Sequence, residues 1–327
     1  MTALRPRARP GAPLRAAGLA GAVAVLGLTA CASGSARATG ADEALTVVTT
    51  TTVYADLVRE VGGEAVAVDP VVGSPAQDPR SYEPTDQDRL AVRDADLVVL
   101  NGGGHDVFME DLAARGDAPV VDAYEVSGLA GAPPEPAHEG HEHEDHEHAE
   151  SDEHVWYDLD AMDNVAHAVA DGLAELDPAG ASVYEANAGA FADRLGALRQ
   201  RIGEVPADNA AFVAADPVAV HLLEDAGLHD DTPVELSAAV AAGTDVPPLV
   251  LQRIRDGIRS GHVQLLAFGA PADPAGAGQL RDDAPAGGAA VVEFTAAPPE
   301  GSTYLEWMDR NVTAVAEALT ALRPAGG

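Results

Sequence analysis

Strand-like and helix-like apolar patterns alternate along nearly the whole chain, and this alternation limits the fold more than any other feature of the sequence. Leu45 to Thr52 is β-branched and strand-like, and Val53 to Val61 follows with helical spacing. Ala65 to Val72 reads as a second strand, ending in a polar Gly/Pro loop at residues 73–84. Thr85 to Arg93 reads as a short helix with a Thr cap and acids in its first turn, where they meet the positive end of the helix dipole. Asp96 to Leu100 is a short buried strand running into the turn Asn101-Gly102-Gly103-Gly104; Asp106 to Ala114 is a helix and Pro119 to Ala123 a fourth strand. The order βαβα implies a mostly parallel sheet covered by helices.

Residues 131–153 break the pattern, Pro-rich first and His/Glu/Asp-rich after, with too little apolar surface to join a core. Beyond them, Leu159 to Leu176 and Ala179 to Ile202 read as two helices separated by Asp177-Pro178. The strand–helix order then restarts with a strand at Ala210 to Ala215, followed by Pro217 to Ala226, a helix at Pro248 to Arg259, strands at His262 to Phe268 and Ala289 to Phe294, and a terminal helix at Ser302 to Leu322. The expected fold class is α/β: two lobes with mostly parallel sheets flanked by helices, joined by one long linking helix. The boundaries expected are 44–176 for the N-terminal lobe with its His-rich loop at 131–153, 177–205 for the linking helix, and 206–327 for the C-terminal lobe. Ligands of open parallel sheets sit beyond the carboxyl ends of the strands, so the cleft between the lobes is the candidate site.

The start of the chain points to export. Arg5, Arg7, Arg9 and Arg15 precede a small apolar stretch, Ala16 to Leu28, and no acid appears before Asp42. That stretch has the length of a secretory h-region and is too short for a membrane span, so residues 1–30 read as a signal peptide. Leu28-Thr29-Ala30-Cys31 resembles a bacterial lipobox in which Cys31 is lipidated, the alternative being ordinary cleavage beside an incidental cysteine. Residues 31–43 are then a polar tether, and the protein is expected at the outer face of the cytoplasmic membrane, held there by its lipid anchor. As the sole cysteine, Cys31 excludes intramolecular disulfides and Cys-based zinc sites.

Charge narrows the partners. The chain carries 53 acids against 19 basic residues, all Arg, for a net charge of −34. Such a surface argues against nucleic acid and against docking on anionic lipid through a basic patch, and it attracts cations. A monomer is expected. The hydrophobic fraction of 46% supports a real core, built largely from Ala, Val and Leu because aromatics are only 4%.

His138, His141, His143, His146 and His148, interleaved with acids, form the densest candidate for metal chemistry. Imidazole with carboxylate suits borderline divalent ions, zinc above all, and several flexible ligands favour weak, multiple capture over one tight site. The bland alternative is an acidic linker with incidental histidines. Just beyond lies Glu153-His154-Val155-Trp156-Tyr157-Asp158, immediately before a helix.

Leu45–Thr52, Ser81-Tyr82-Glu83-Pro84-Thr85, Ala95-Asp96-Leu97-Val98-Val99, Asn101-Gly102-Gly103-Gly104, the His loop, His154-Val155-Trp156 and Tyr304-Leu305-Glu306-Trp307-Met308 stand in an order that resembles the zinc/manganese class of ABC-transporter solute-binding lipoproteins. The resemblance covers nearly all of the chain after Cys31. It implies two α/β lobes joined by a rigid helix, a divalent metal bound between them, and delivery to a membrane permease of an ABC importer. It implies zinc as the transported ligand, with manganese second, and no enzymatic activity.

The resemblance also implies three His ligands and one carboxylate, and here the chain departs. Asp78-Pro79 is followed by Arg80 where the first His is expected, and an Arg has no lone pair to give a metal. His154 matches the second ligand, Asp216 stands in place of the third, and Thr295 aligns near the expected late acid. Arg80 beside Asp216 is expected to form a charge-assisted pair, whereas His105, after the glycine turn, is expected to supply a replacement imidazole. His167, His221, His229 and His262 lack ligand spacing and read as surface or structural residues.

Three readings follow. The first is a receptor for zinc or manganese with a rearranged cleft site at His154, Asp216 and His105. The second is a metal-buffering or metal-sensing surface lipoprotein with its cleft site lost and metal held weakly by the His loop. The third, an extracellular metallohydrolase, lacks both an HExxH helix and a GxSxG elbow.

Overall fold

The computed structural model describes residues 44–130, 153–205, 207, 210–270 and 278–322. The expected signal peptide, Cys31 and its tether, and His138, His141, His143, His146 and His148 lie outside the described residues.

The first sheet grows from β1 (Leu45–Thr51), α1 (Thr52–Gly62), β2 (Val66–Val72), α2 (Asp86–Asp94), β3 (Leu97–Leu100), α3 (Val107–Ala113), β4 (Val120–Asp122) and α4 (Ala123–Ser127). Its four strands are all parallel, in the order β2-β1-β3-β4. Helices α5 (Leu159–Leu176) and α6 (Ala181–Gly203) lead to the second sheet. That sheet is assembled from β5 (Ala211–Ala214), α7 (Val220–Asp225), β6 (His229–Asp230), α8 (Val234–Ala241), α9 (Pro248–Ser260), β7 (Val263–Ala270), α10 (Gly278–Gly287) and β8 (Ala290–Thr295), and α11 (Tyr304–Ala321) follows it. Its order is β6-β5-β7-β8, again all parallel, so the two sheets share one topology.

Alternation along the strands explains the layering. Val47, Leu97 and Val99 point to one face and join a core with α1 and α5, while Val48, Val98 and Leu100 point to the other and meet Val92, Met109 and Leu112. The second sheet divides the same way, Phe212, Leu265 and Phe294 on one face and Val213, Leu266 and Phe268 on the other. The largest core takes one face of each sheet and runs without a break through α1, α5, α6 and α11. Both faces of each sheet are covered, which is why the strands read as continuous Val-rich and Leu-rich runs.

Three elements were not foreshadowed. β6 is two residues long, α8 is Ala-rich with Val234 and Ala238 exposed beside Glu235 and Ser237, and α10 carries Pro285 in its interior. α10 persists because Leu280 and Ala284 bury against the second lobe's core. The run expected at Pro217 to Ala226 is split, a 3-10 turn at Pro217–Ala219 preceding α7. No helix among the described residues is long and apolar enough to cross a membrane.

Candidate metal centre

Strand order reverses between β1 and β3, so the crevice at their carboxyl ends is the first sheet's switch point. β3 runs into Asn101 and then into Gly102, Gly103 and Gly104 at φ 74°, 61° and 88°. The left-handed backbone favours glycine, and space demands it as well: a Cβ on Gly102 would overlap the Asp122 carboxylate, and one on Gly103 the Tyr124 ring. The tight turn brings Asp106 back under the strand ends, where its buried carboxylate accepts hydrogen bonds from the Thr50 hydroxyl, Asn101 N–H (2.8 Å) and Gly102 N–H (2.9 Å). It also delivers His105, 3% exposed, against Trp156 at 4.8 Å between rings.

Asn101 fastens this turn to the segment that precedes α5. Its Oδ1 accepts from the Tyr54 hydroxyl, and its Nδ2 donates to the carbonyls of Gly102 (3.0 Å) and Glu153 (2.9 Å). Glu153 and His154 thereby start from a fixed point. The 3-10 turn Val155–Tyr157 that follows is fully buried and ties the lobes together. Tyr157 donates across to the Thr295 carbonyl at 2.9 Å, and Tyr304 donates to the Trp156 carbonyl at 2.8 Å.

The Arg80 guanidinium enters this cluster from a 3-10 turn, Pro79–Ser81, in which the Asp78 carboxylate caps the Arg80 N–H. The expected pair with Asp216 is not what forms. Arg80 Nε donates to Glu153 Oε1 at 2.6 Å, its terminal nitrogen donates to the same oxygen, and that nitrogen lies 3.2 Å from His154 Nε2. The reason is geometric: the 79–81 turn and Glu153 share the first lobe's strand-end crevice, whereas Asp216 belongs to the second sheet. Burial pushes the Glu153 pKa up, but His105 and Arg80 outweigh it and hold the carboxyl below its ordinary value.

Asp216 follows β5 at the second sheet's own switch point. Its Oδ1 accepts from Val218 N–H at 3.0 Å, and its carboxylate lies so close over Gly269 of β7 that a Cβ there would overlap it. Thr295 ends β8, and its hydroxyl donates to the Ala297 carbonyl at 2.8 Å while its own carbonyl receives Tyr157. Between the strand ends of the two sheets lies a small cavity of about 30 Å³, bordered by Thr51, Pro79, His105, Trp156 and Ala297, with room for an ion or a water molecule. A larger groove, about 500 Å³, runs along α6 and α11, but Arg194 and Arg201 in its lining already pair with Glu60 and Asp309.

His105 and His154 are thus brought together, each packing on Trp156, with Glu153 3.9 Å from His105 and next to His154 in the chain. Asp216 stands at the facing strand ends of the other lobe. Among the described residues no group of three or more His, Cys, Asp or Glu side chains is already gathered closely enough to hold a metal ion. His167 and His262 pair with Asp163 and Asp231 at the surface. Glu153 is the residue that sequence reasoning missed. It closes the acid-rich stretch at 131–153, and its place directly before His154 is the signal for it.

Comparison with known proteins places the chain in a family. The family model described as zinc-uptake complex component A, periplasmic (ZnuA), matches residues 47–318. The manganese-binding lipoprotein MntA of Halalkalibacterium halodurans is 31% identical over 49% of this chain and 49% of its own length. The iron-binding protein YfeA of Yersinia pestis is 27% identical over 56% and 57%, and the manganese ABC transporter substrate-binding lipoprotein PsaA of Streptococcus pneumoniae 26% over 59% and 62%. The chain thus spans about half to three-fifths of the length of these relatives. Among solved structures, the crystal structure of ZnuA superposes with TM-score 0.65 at 22% identity, covering 86% of this chain and all of that one. The periplasmic zinc-binding protein TroA of Treponema pallidum gives 0.64 at 23%, covering 85% and 99%. At these identities the structural likeness is one of fold, and the family match carries the assignment: the chain belongs to the zinc-uptake complex component A family.

Proposed function

We propose that the chain is the extracytoplasmic metal-binding receptor of an ABC importer, anchored to the membrane through Cys31, which captures a divalent ion in the cleft and hands it to a membrane permease. This is a binding role, not a catalytic one. The observation that carries it is the convergence of His105 and His154, both packed on the Trp156 ring, at the first sheet's switch point, with Asp216 at the equivalent point of the second sheet. Imidazole and carboxylate together suit zinc and manganese. Relatives named for manganese and iron, beside a family named for zinc, support a first-row divalent ion as cargo.

A second reading has its own support. Arg80 stands against Glu153 and His154, which favours a closed cleft with metal held by the histidine loop alone. Calorimetric titration of the full chain with zinc and with manganese separates the two, repeated with His138, His141, His143, His146 and His148 changed to Ala. The receptor reading expects one site per chain that survives the five loop substitutions and disappears on adding His154→Ala. Loss of all binding with the loop histidines alone refutes it.

A further inference from the structure

Two observations at the cleft are not absorbed by a site of His105, His154 and Asp216. The first is a buried imidazole whose Nδ1 makes no hydrogen bond. The His105 side chain is 4% exposed, and among the described residues its Nδ1 has no hydrogen-bond partner. The group it faces is Glu153 Oε1 at 3.9 Å, beyond hydrogen-bond reach. Two ligands of a tetrahedral ion, each about 2.1 Å from it, lie about 3.4 Å apart. The His105–Glu153 gap therefore exceeds a bridging geometry by roughly half an ångström, well within one side-chain adjustment.

The second observation is where the chain's own cation sits. Both the Nε and the terminal nitrogen of Arg80 bond to this same Glu153 oxygen, and the terminal nitrogen also reaches His154 Nε2 at 3.2 Å. One positive charge thus lies between a carboxylate and an imidazole, with a second imidazole 3.9 Å from the same carboxylate oxygen. The guanidinium belongs to a surface turn and is 46% exposed, so it can swing outward without disturbing the core.

We propose that Glu153 is a metal ligand together with His105 and His154, and that Arg80 is the resident cation which a divalent ion displaces on loading. The exchange balances: the ion takes over the Glu153 oxygen and the imidazole lone pairs, and Arg80 leaves with its charge to solvent. A monovalent cation gains nothing over the guanidinium it must evict, whereas a divalent ion brings twice the charge to the same carboxylate, so Arg80 sets a threshold that selects for charge. The inference rests on the receptor reading and adds to it a ligand and a competitor.

The test uses the full chain with the five loop histidines changed to Ala, titrated with zinc and with manganese. Arg80→Met removes the competitor and is expected to tighten cleft binding roughly 5- to 50-fold, the worth of a half-exposed charge-assisted pair. Arg80→Lys keeps a cation and stays closer to the parent. Glu153→Gln weakens binding at least about tenfold, as loss of a charged ligand does, and Arg80→Met added to it has a smaller effect than alone. In the parent, the Arg80 Nε–H resonance moves toward its solvent-exposed position on metal saturation. Unchanged or weaker binding in Arg80→Met, with the parent still binding in its cleft, overturns the exchange and leaves the receptor reading standing. Binding in Arg80→Met but not in the parent shows that the ion does not displace Arg80, and overturns both the exchange and the receptor reading. Absence of cleft binding in both overturns both, and circular dichroism confirms that each variant is folded.

Discussion

Asn101 is the residue whose removal is expected to cost most for its size. Its side chain is fully buried and makes three hydrogen bonds, accepting from Tyr54 and donating to the carbonyls of Gly102 and Glu153. Asn101→Ala leaves the buried Tyr54 hydroxyl and the Glu153 carbonyl without this partner. A hydrogen bond is worth about 1 kcal/mol net, and each orphaned buried group costs about 1–3 kcal/mol. A loss of about 3 kcal/mol is expected, allowing for a water molecule in the vacated space. Urea unfolding followed by the fluorescence of Trp156 and Trp307, both buried near the lobe junction, measures it directly, with an unchanged m-value. Asn101→Asp keeps the shape but sets a carboxylate against two carbonyls. Burial raises the folded-state pKa of the new carboxyl, so its penalty is fully present above that value and fades as the pH falls toward about 3.9. A loss below about 1 kcal/mol in Asn101→Ala would show that the glycine turn and the 153–157 segment hold without their bridge, and would refute the reasoning.

Tyr157→Phe removes the hydroxyl that donates to Thr295 and accepts from Asn311 at 3.3 Å, and is expected to lower stability by about 2 kcal/mol in the same urea assay. Asp122 is pushed up to about 6, by burial first and by the charges of Glu125, Asp106 and Glu110 as well. An acid raised in the folded state makes stability fall as pH rises from about 4 to about 6, by about 1 kcal/mol after allowing for solvent screening; Asp122→Asn, which preserves the helix cap, is expected to flatten that slope in a series of urea midpoints. Gly269→Ala puts a methyl group where the Asp216 carboxylate lies, and cleft affinity for zinc or manganese in the titration is expected to drop about tenfold.

Much of the scaffold was legible because parallel strands and amphipathic helices write their periods into the chain. Leu97–Leu100, buried on every residue, reads as an apolar run, and Thr85 announces α2 through a capping box with Asp88. The glycine turn was visible as a turn, but its reason was not, since the Asp122 carboxylate that forbids a Cβ comes from 20 residues further on. The elements missed are those whose own sequence opposes or underdetermines them: Pro285 inside α10, an Ala-rich α8, a two-residue β6. At the site, His154 and His105 were legible by type and place. The Arg80–Glu153 pair was not, because it joins residues 73 apart and no local pattern records which carboxylate a guanidinium will find.

The departures at Arg80 and Thr295 have a common electrostatic sense. The resemblance implied three imidazoles and one carboxylate, and the proposed set here is His105, His154, Asp216 and Glu153. Thr295 spends its hydroxyl on closing its own turn onto Ala297, so the end of β8 contributes no charge. The acid expected there is compensated from the first lobe, where Glu153 stands beside His154. The donor set thus trades one imidazole for a second carboxylate, which makes it harder and more anionic. Hard oxygen donors narrow the advantage that zinc holds over manganese in nitrogen-rich sites. A doubly anionic set in a chain with 53 acids and 19 arginines would also repel itself when empty. Arg80 answers that cost: it neutralises Glu153 until cargo arrives, and it belongs to a surface turn from which it can leave.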